Sequence, residues 1–195
     1  NAVEVLFKDL GYGYDPIAAK VFAIEFGHAR RLTFLDPEHS RHSDVFFDVL
    51  EFSHIIPLND RLELDYPTLP LAELVLSKMQ IAKLTEKDVI DTIMLLREHD
   101  VGEVDAETVN AKRIARICAT DWGFWRTATG NLNITMEHML NYTQLTESDK
   151  EDLQRKIAKI LEYLEKEPKP LSWKMRSVVG EKKKWYKDVE EISRR

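Results

Sequence analysis

A single cysteine, Cys118, is the only thiol in 195 residues. An internal disulfide is therefore excluded, and the chain suits a reducing compartment, the cytoplasm being expected. Cys118 sits in an apolar helical pattern, which reads as a buried structural thiol rather than a nucleophile. No apolar run approaches the roughly 20 residues needed to span a bilayer, and no signal peptide is visible, so no membrane is expected among the partners. Also missing are a Gly-rich phosphate loop, a His-x-x-x-His or paired-Cys metal spacing, and a Gly-x-Ser-x-Gly elbow. The 6 His are scattered. The net charge of −6 argues against nucleic-acid binding over the whole surface.

What is present is an ordinary globular balance, 44% apolar and 32% charged, enough to bury a core. The charge is unevenly spread. Residues 171–195 carry eight Lys/Arg and four Asp/Glu, a local +4 that leaves −10 elsewhere. Trp173, Trp185 and Tyr186 interleave with those cations, a composition that suits either phosphate or RNA contact or a solvated amphipathic helix.

The opening segment has Val3, Leu6, Phe7 and Leu10 at helical spacing, with Gly11 as the stop. Val21 to Phe26 and Ala29 to Leu35 read as short strands, Asp36-Pro37-Glu38 as a turn, and Ser43 to Phe52 as the strongest strand. Strict alternation there puts Val45, Phe47 and Val49 on one face and Asp44, Phe46 and Asp48 on the other. The preferred hairpin pairs residues 30–35 with 43–50. Two carboxylates on one strand face beside an aromatic are candidates for binding chemistry, because a buried Asp needs a cation, a metal or several donors. Further short strands are expected around Ile55-Ile56 and Leu62-Leu64, flanked by Arg61 and by His54, the latter read as a hydrogen-bonded structural residue.

Residues 68–96 read as a helical hairpin. Thr68 serves as N-cap with Pro70 in the first turn. Leu71, Leu74, Val75, Met79 and Ala82 form the apolar face, and Lys78 points with them, so its ammonium must snorkel or find an anion. Thr85 caps the second helix with Asp88 at N3, a variant of the capping box. Lys87 and Asp91 are spaced as an i,i+4 pair, and a bridge from Lys78 to Asp88 or Asp91 would cross the hairpin. Ile90, Ile93, Met94, Leu95 and Leu96 make the second apolar face. After a loop at His99 to Gly102, a helix capped near Asp105 or Thr108 buries Ile114, Ile117, Cys118, Trp122 and Trp125. Gly130-Asn131 ends it, and a shorter helix holds Leu132, Met136, Met139 and Leu140. Ser148 caps a long helix with Leu153, Ile157, Ile160, Leu161 and Leu164, and a last helix covers about 171–190. The class is α+β: a small mixed or antiparallel sheet with flanking helices over 1–66, then an all-helical region over 67–195.

The strand Ser43-Asp44-Val45-Phe46-Phe47-Asp48, followed by the segment from Thr68 to Leu96, resembles nucleotidyltransferase-like proteins related to DNA polymerase β. The nearer likeness is to uncharacterised members, the more distant one to AbiEii-type toxin nucleotidyltransferases. Ala119 to Thr127 is also similar to the uncharacterised group. The resemblance implies a partial nucleotidyltransferase-like domain over 1–66. It implies Mg²⁺-dependent transfer of a nucleoside monophosphate from a nucleoside triphosphate to a hydroxyl acceptor. Asp44 would be the catalytic acid and, with Asp48, a metal ligand. Lys78, Lys87, Asp88 and Asp91 would form the nucleotide-binding motif. The family's Gly-Ser or Gly-Gly motif and Asp-x-Asp metal pair precede the stretch with which this chain begins and are not replaced within it. Two other readings stand beside the enzyme: a degenerate relative acting as an interaction or regulatory module through its helical half, with a protein partner, and a toxin acting on tRNA through the basic 171–195 segment.

Overall fold

A computed structural model describes residues 2–14 and 31–189. The chain forms two compact units, one built from residues up to Glu51 and the other from Phe52 to Val189. The expected strand over 21–26 and the end of the chain past Val189 lie outside the described residues. The α+β class is observed, with the strands early and the helices late.

In the first unit, helix α1 (Ala2–Asp9) ends where Gly11 takes a φ of 84°, a left-handed value that glycine adopts without Cβ strain. Three strands follow: β1 (Gly13–Tyr14), β2 (Arg31–Asp36) and β3 (Arg41–Phe46), in the order β1-β2-β3. Strand β2 pairs antiparallel with β3, with Leu32 opposite Val45, Thr33 opposite Asp44 and Phe34 opposite Ser43. The Asp36-Pro37 turn thus closes the expected hairpin. Leu32 and Phe34 are its buried apolar residues, and Phe7 of α1 stacks on Phe34 at 4.0 Å.

The strand beginning at Ser43 is shorter than its composition suggests. It stops at Phe46, and β4 (Val49–Glu51) begins anew beyond a tight turn. Asp48 is the centre of that turn, with a φ of 58° and the Val49 N–H donating to Phe47 O at 2.6 Å. The alternation breaks there, so Asp44 and Asp48 do not share a strand face.

The second unit opens with β5 (Ile55–Pro57). Leu62 and Leu64 lie in turns and are exposed rather than in a strand. Residues 52–66 belong to this unit because Arg61 is bound to Glu73 and Asp105 (see below), which moves the division from Tyr66 back to Glu51. Helix α2 (Leu71–Met79) has Pro70, not Thr68, at its N-cap, and the Thr68 hydroxyl donates to Leu69 O. Its buried face is Leu71, Ala72, Glu73, Val75, Leu76 and Met79. Leu74 is only half-buried, and Ala82 lies beyond the helix end. Helix α3 (Glu86–Glu98) has the expected capping box, with Thr85 and Asp88 bonded reciprocally, and it buries Val89, Thr92, Ile93 and Leu96. Ile90 and Met94 stay exposed.

The expected loop after His99 is partly a strand. Strand β6 (Asp100–Gly102) pairs in parallel with β7 (Thr108–Asn110). Asn110 caps helix α4 (Ala111–Thr120) through Arg113 N. The single long helix expected there is two helices. Asp121, at φ −136° and ψ 113°, ends α4 and caps α5 (Trp122–His138) through Gly123 N. Gly130 and Asn131 lie inside α5 instead of ending it. The Asn131 amide donates to Met79 O and Ile81 O, fastening α5 to the end of α2. Helix α6 (Glu147–Lys166) is capped by Thr146 and Asp149 rather than by Ser148.

Helix α6 supplies the central wall of the unit. Leu153, Ile157, Ile160 and Leu164 are buried at helical spacing, each worth about 1.5–3 kcal/mol against exposure. Lys156 is buried among them at 4% exposure. Its ammonium reaches Leu96 O at 3.0 Å at the end of α3 and Asp152 at 2.7 Å, a cation set against the negative end of a helix dipole. Helix α7 (Leu171–Val179) has no buried residue, and a short 3₁₀ turn over Gly180–Lys182 follows it.

Candidate functional site

Asp44 stands on β3 directly across from Thr33. Its Oδ1 accepts hydrogen bonds from Arg31 Nε at 2.8 Å and Thr33 Oγ1 at 2.7 Å, while Oδ2 lies 2.6 Å from Arg31 Nη2. The fork of Arg31 therefore grips the carboxylate from both oxygens, and its guanidinium also lies 5.3 Å from the centre of the Phe46 ring. An ionised carboxylate offers about four lone-pair sites. Three are occupied here, leaving one on Oδ2, on a side chain 31% exposed.

A Mg²⁺ site needs about six oxygen ligands, several of them supplied by protein or substrate. Asp44 brings one carboxylate already held by a guanidinium, and Asp48 lies in the left-handed turn beyond the end of β3. Among the described residues no group of three or more His, Cys, Asp or Glu side chains is placed to hold a metal ion. Asp44 and Asp48 therefore do not make a Mg²⁺ site by themselves.

The hairpin of α2 and α3 brings together three of the four residues assigned to nucleotide. Lys78 Nζ lies 2.6 Å from Asp91 Oδ2 and 3.2 Å from Asp88 Oδ1. Burial works against the charged form of Lys78, but its bonds to Asp91 and Asp88 outweigh that and hold its pKa above the ordinary value. Burial likewise opposes ionisation of Asp88, and the Thr85 hydroxyl and N–H with the Lys78 ammonium overcome it, leaving the carboxyl below its usual range. Lys87 is exposed on the first turn of α3 and takes no part. One ammonium facing two carboxylates is a clamp in which the cation is fully paired and one negative charge is left over. Beside it lies a groove of about 420 Å³ lined by Leu74, Ser77, Met94 and His99.

Two constellations were not legible in the residue pattern. The first is ionic and buried. Glu73, with 0% exposure, accepts from Arg61 Nε and Nη2 at 2.7 and 2.8 Å and from Arg113 Nε at 2.9 Å. Arg61 also forks onto Asp105 at 2.7 and 3.0 Å, and Arg113 donates to Pro57 O at 2.8 Å. The bonds from Asp105 and Glu73 raise the Arg61 pKa further, against the pull of burial. This network ties β5, α2, β7 and α4 together. An acid on the apolar side of α2 was the available signal.

The second is a cavity of about 640 Å³ whose lining includes His54, Asp121, Phe124, Arg176, Trp185 and Tyr186. The His54 ring is buried and stacks on Phe124 at 4.9 Å. Its Nε2 is 2.9 Å from Thr127 Oγ1, and its Nδ1 is 3.5 Å from Asp121 Oδ2. Burial pushes the Asp121 carboxyl up, but the His54 bond and the backbone N–H of Gly123 bring it below its usual value. The Trp185 indole N–H donates to the same Thr127 hydroxyl at 3.1 Å. Cys118 is fully buried, and burial raises its thiol pKa far above the ordinary range, the structural role expected of it.

The basic segment uses its aromatics inward. Trp173 meets Trp125 edge-on at 5.3 Å, and Trp185 meets Trp122 at 6.2 Å. Arg176 lies over Trp122 at 4.6 Å. The close approach of this segment to α5 depends on Gly123, where an added Cβ would sit 2.3 Å from Trp185 O. Comparison with protein-family models, curated proteins and solved structures finds no match.

Proposed function

We propose that the chain is a nucleotidyltransferase-type protein in which Asp44 receives the hydrogen bond of the acceptor hydroxyl. The observation that carries this reading is the cradle of Asp44. Arg31 and Thr33 fix the carboxylate in one orientation and, among the described residues, leave a single lone-pair site open on Oδ2 of a partly exposed side chain. A carboxylate held this way is aimed, which is what orienting an attacking hydroxyl demands. The likeness of Ser43 to Asp48 and of residues 68–96 to nucleotidyltransferases supplies the reaction class. The described residues do not compose a Mg²⁺ site by themselves.

A second reading is favoured by the pairing of Lys78 with Asp88 and Asp91, which leaves its ammonium spent within the hairpin: a relative without transfer activity that works as an interaction module through its helical unit. One experiment separates the two. The natural full-length protein is incubated with Mg²⁺, nucleoside triphosphates labelled at the α-phosphate, and cellular RNA or protein as acceptor. Transfer by the wild type that disappears in Asp44→Asn, with the melting temperature unchanged, supports the enzyme. Transfer that survives in Asp44→Asn overturns the role of that residue. Absence of transfer to every acceptor overturns the enzyme and leaves the interaction module.

A further inference from the structure

Helix α7 carries its apolar side outward. Its half-buried residues are Trp173, Arg176 and Ser177, with Trp173 against Trp125 and the Arg176 guanidinium over Trp122. On the other side Leu171 is 73% exposed, Met175 66% and Val178 85%, and Val179 is exposed beside them. At 3.6 residues per turn these four cover an arc of about 100°, the width of the face that a helix normally buries. A continuous stripe of this kind marks an interaction surface, unlike apolar residues scattered singly. The charge around it is positive. Lys174, Lys182 and Lys183 are exposed, and among the described residues their ammonium groups have no partner. The one acid in that stretch, Glu181, is bonded to Arg126.

The same unit presents a groove of opposite charge. It lies between α2 and α3, with Leu74, Met94 and Leu95 as its apolar lining. Met94 is 45% exposed, and Ile90, one turn earlier on α3, is exposed as well. Lys78 is spent on Asp88 and Asp91, and Arg97 lies 3.0 Å from Asp149 and 3.8 Å from Glu98. Two cations thus stand among four carboxylates, and the surplus is negative. Glu98, with a side chain 60% exposed, is the most open of the four acids.

We propose that copies of this chain associate head to tail, α7 of one copy lying in the α2–α3 groove of the next. An amphipathic helix seated in an apolar groove is a general mode of recognition. The stripe of Leu171, Met175 and Val178 meets Leu74, Met94 and Leu95, while Lys174, Lys182 and Lys183 meet the acidic rim. Opposite charges select the partner and speed the encounter. An anionic bilayer is a poorer match. Three free cations fall short of the roughly four to eight that such a surface calls for, and Trp173 is turned inward rather than toward lipid. Because the two faces differ, the contact is heterologous, and each added copy leaves one groove and one α7 open unless a ring closes. A helix of 9 residues is about 14 Å long, so the contact is small and exchanging rather than permanent. It needs neither Asp44 nor any transfer activity.

The test is sedimentation velocity and light scattering of the full chain at low salt, from about 5 to 200 µM. The mean mass should rise above the monomer's, with half-association at about 10–100 µM. The double variant Met175→Gln/Val178→Gln removes the stripe, and Met94→Lys sets the groove against the cations. All three positions are exposed, so both variants should melt as the wild type does. Each alone should stay monomeric over that range. Mixed in equal amounts they should form a complex of two copies and nothing larger, because one retains a sound groove and the other a sound α7. Lys182→Gln/Lys183→Gln should weaken association about threefold or more at low salt. A wild type that stays monomeric throughout overturns the proposal. So does either apolar-face variant associating as the wild type does, a mixture that stays monomeric, or unchanged affinity in the lysine variant. Binding to vesicles of phosphatidylserine and phosphatidylcholine, lost in the stripe variant while the wild type stays monomeric, assigns α7 to a membrane surface and overturns it too.

Discussion

Replacing Glu73 by Gln tests whether the buried ionic network holds the second unit together. Glu73 has no exposure and is the shared acceptor of two guanidinium groups, through three hydrogen bonds of 2.7–2.9 Å. Gln keeps the volume but removes the charge and turns one acceptor into a donor facing Arg61 or Arg113. Arg61 retains Asp105, whereas Arg113 keeps only Pro57 O among its hydrogen-bond partners in the described residues. Breaking one partner out of a buried ion pair costs about 3–5 kcal/mol, chiefly because the opposite charge is left desolvated. With an m-value of about 2 kcal/mol/M, the urea midpoint should fall by about 2 M. The melting temperature should fall by roughly 6–20 °C at about 2–4 °C per kcal/mol. The comparison variant is Asp105→Asn, whose side chain is 27% exposed. Water can solvate Arg61 on that side, so the cost should be near about 1 kcal/mol. Equilibrium unfolding followed by circular dichroism and by tryptophan fluorescence measures both. A loss below about 1 kcal/mol for Glu73→Gln, or equal losses for the two variants, would refute the view that burial makes the loss of this one partner costly.

Gly123→Ala should push the Trp185 backbone off α5 at a cost of about 1–3 kcal/mol, and trypsin should then cut at Lys182 to Lys184 faster than in the wild type; an unchanged cleavage rate contradicts the close approach. Lys78→Met should destabilise the hairpin by about 1–3 kcal/mol by leaving Asp88 and Asp91 without their cation, with no selective loss of triphosphate affinity; a selective loss in a fully stable variant would reassign Lys78 to ligand binding. The Thr146 hydroxyl and N–H, then Arg97, hold the Asp149 carboxyl at about 2 against an ordinary 3.8. Its stabilisation is therefore complete above pH 3.8 and disappears as pH falls through about 2. Melting curves of wild type and Asp149→Asn should differ above that window and converge below it; a constant separation across it counts against the assignment.

Local chemistry was legible wherever neighbours in sequence do the work. The Asp36-Pro37 turn joins β2 to β3, Gly11 stops α1, and Thr85 with Asp88 caps α3, because each depends on residues within a few positions of one another. The heptad-like spacing of Leu153, Ile157, Ile160 and Leu164 likewise marked the central wall before any partner was known. The α+β class follows from these local patterns.

What only the tertiary structure decided are the contacts between distant residues. Alternation alone could not reveal that Asp48 occupies a left-handed turn, because a strand pattern does not record φ. Gly130 and Asn131 look like a helix stop, yet they continue α5, since Asn131 has Met79 O and Ile81 O to bind and burial outweighs local propensity. Asp121 looks like a mid-helix residue, yet it divides α4 from α5, where its carboxylate caps Gly123 and faces His54. Glu73 lies on the apolar side of α2, but its partners Arg61 and Arg113 come from other elements and no local pattern names them. Lys78, by contrast, was legible as a cation needing an anion across the hairpin, and its bonds to Asp91 and Asp88 form as α2 and α3 close. Asp44 was visible as an acid in a strand, but its open lone-pair site exists because β2 brings Arg31 and Thr33 across from it. A residue's type and spacing are written in the chain, whereas the charge and access it ends with depend on what folding places beside it.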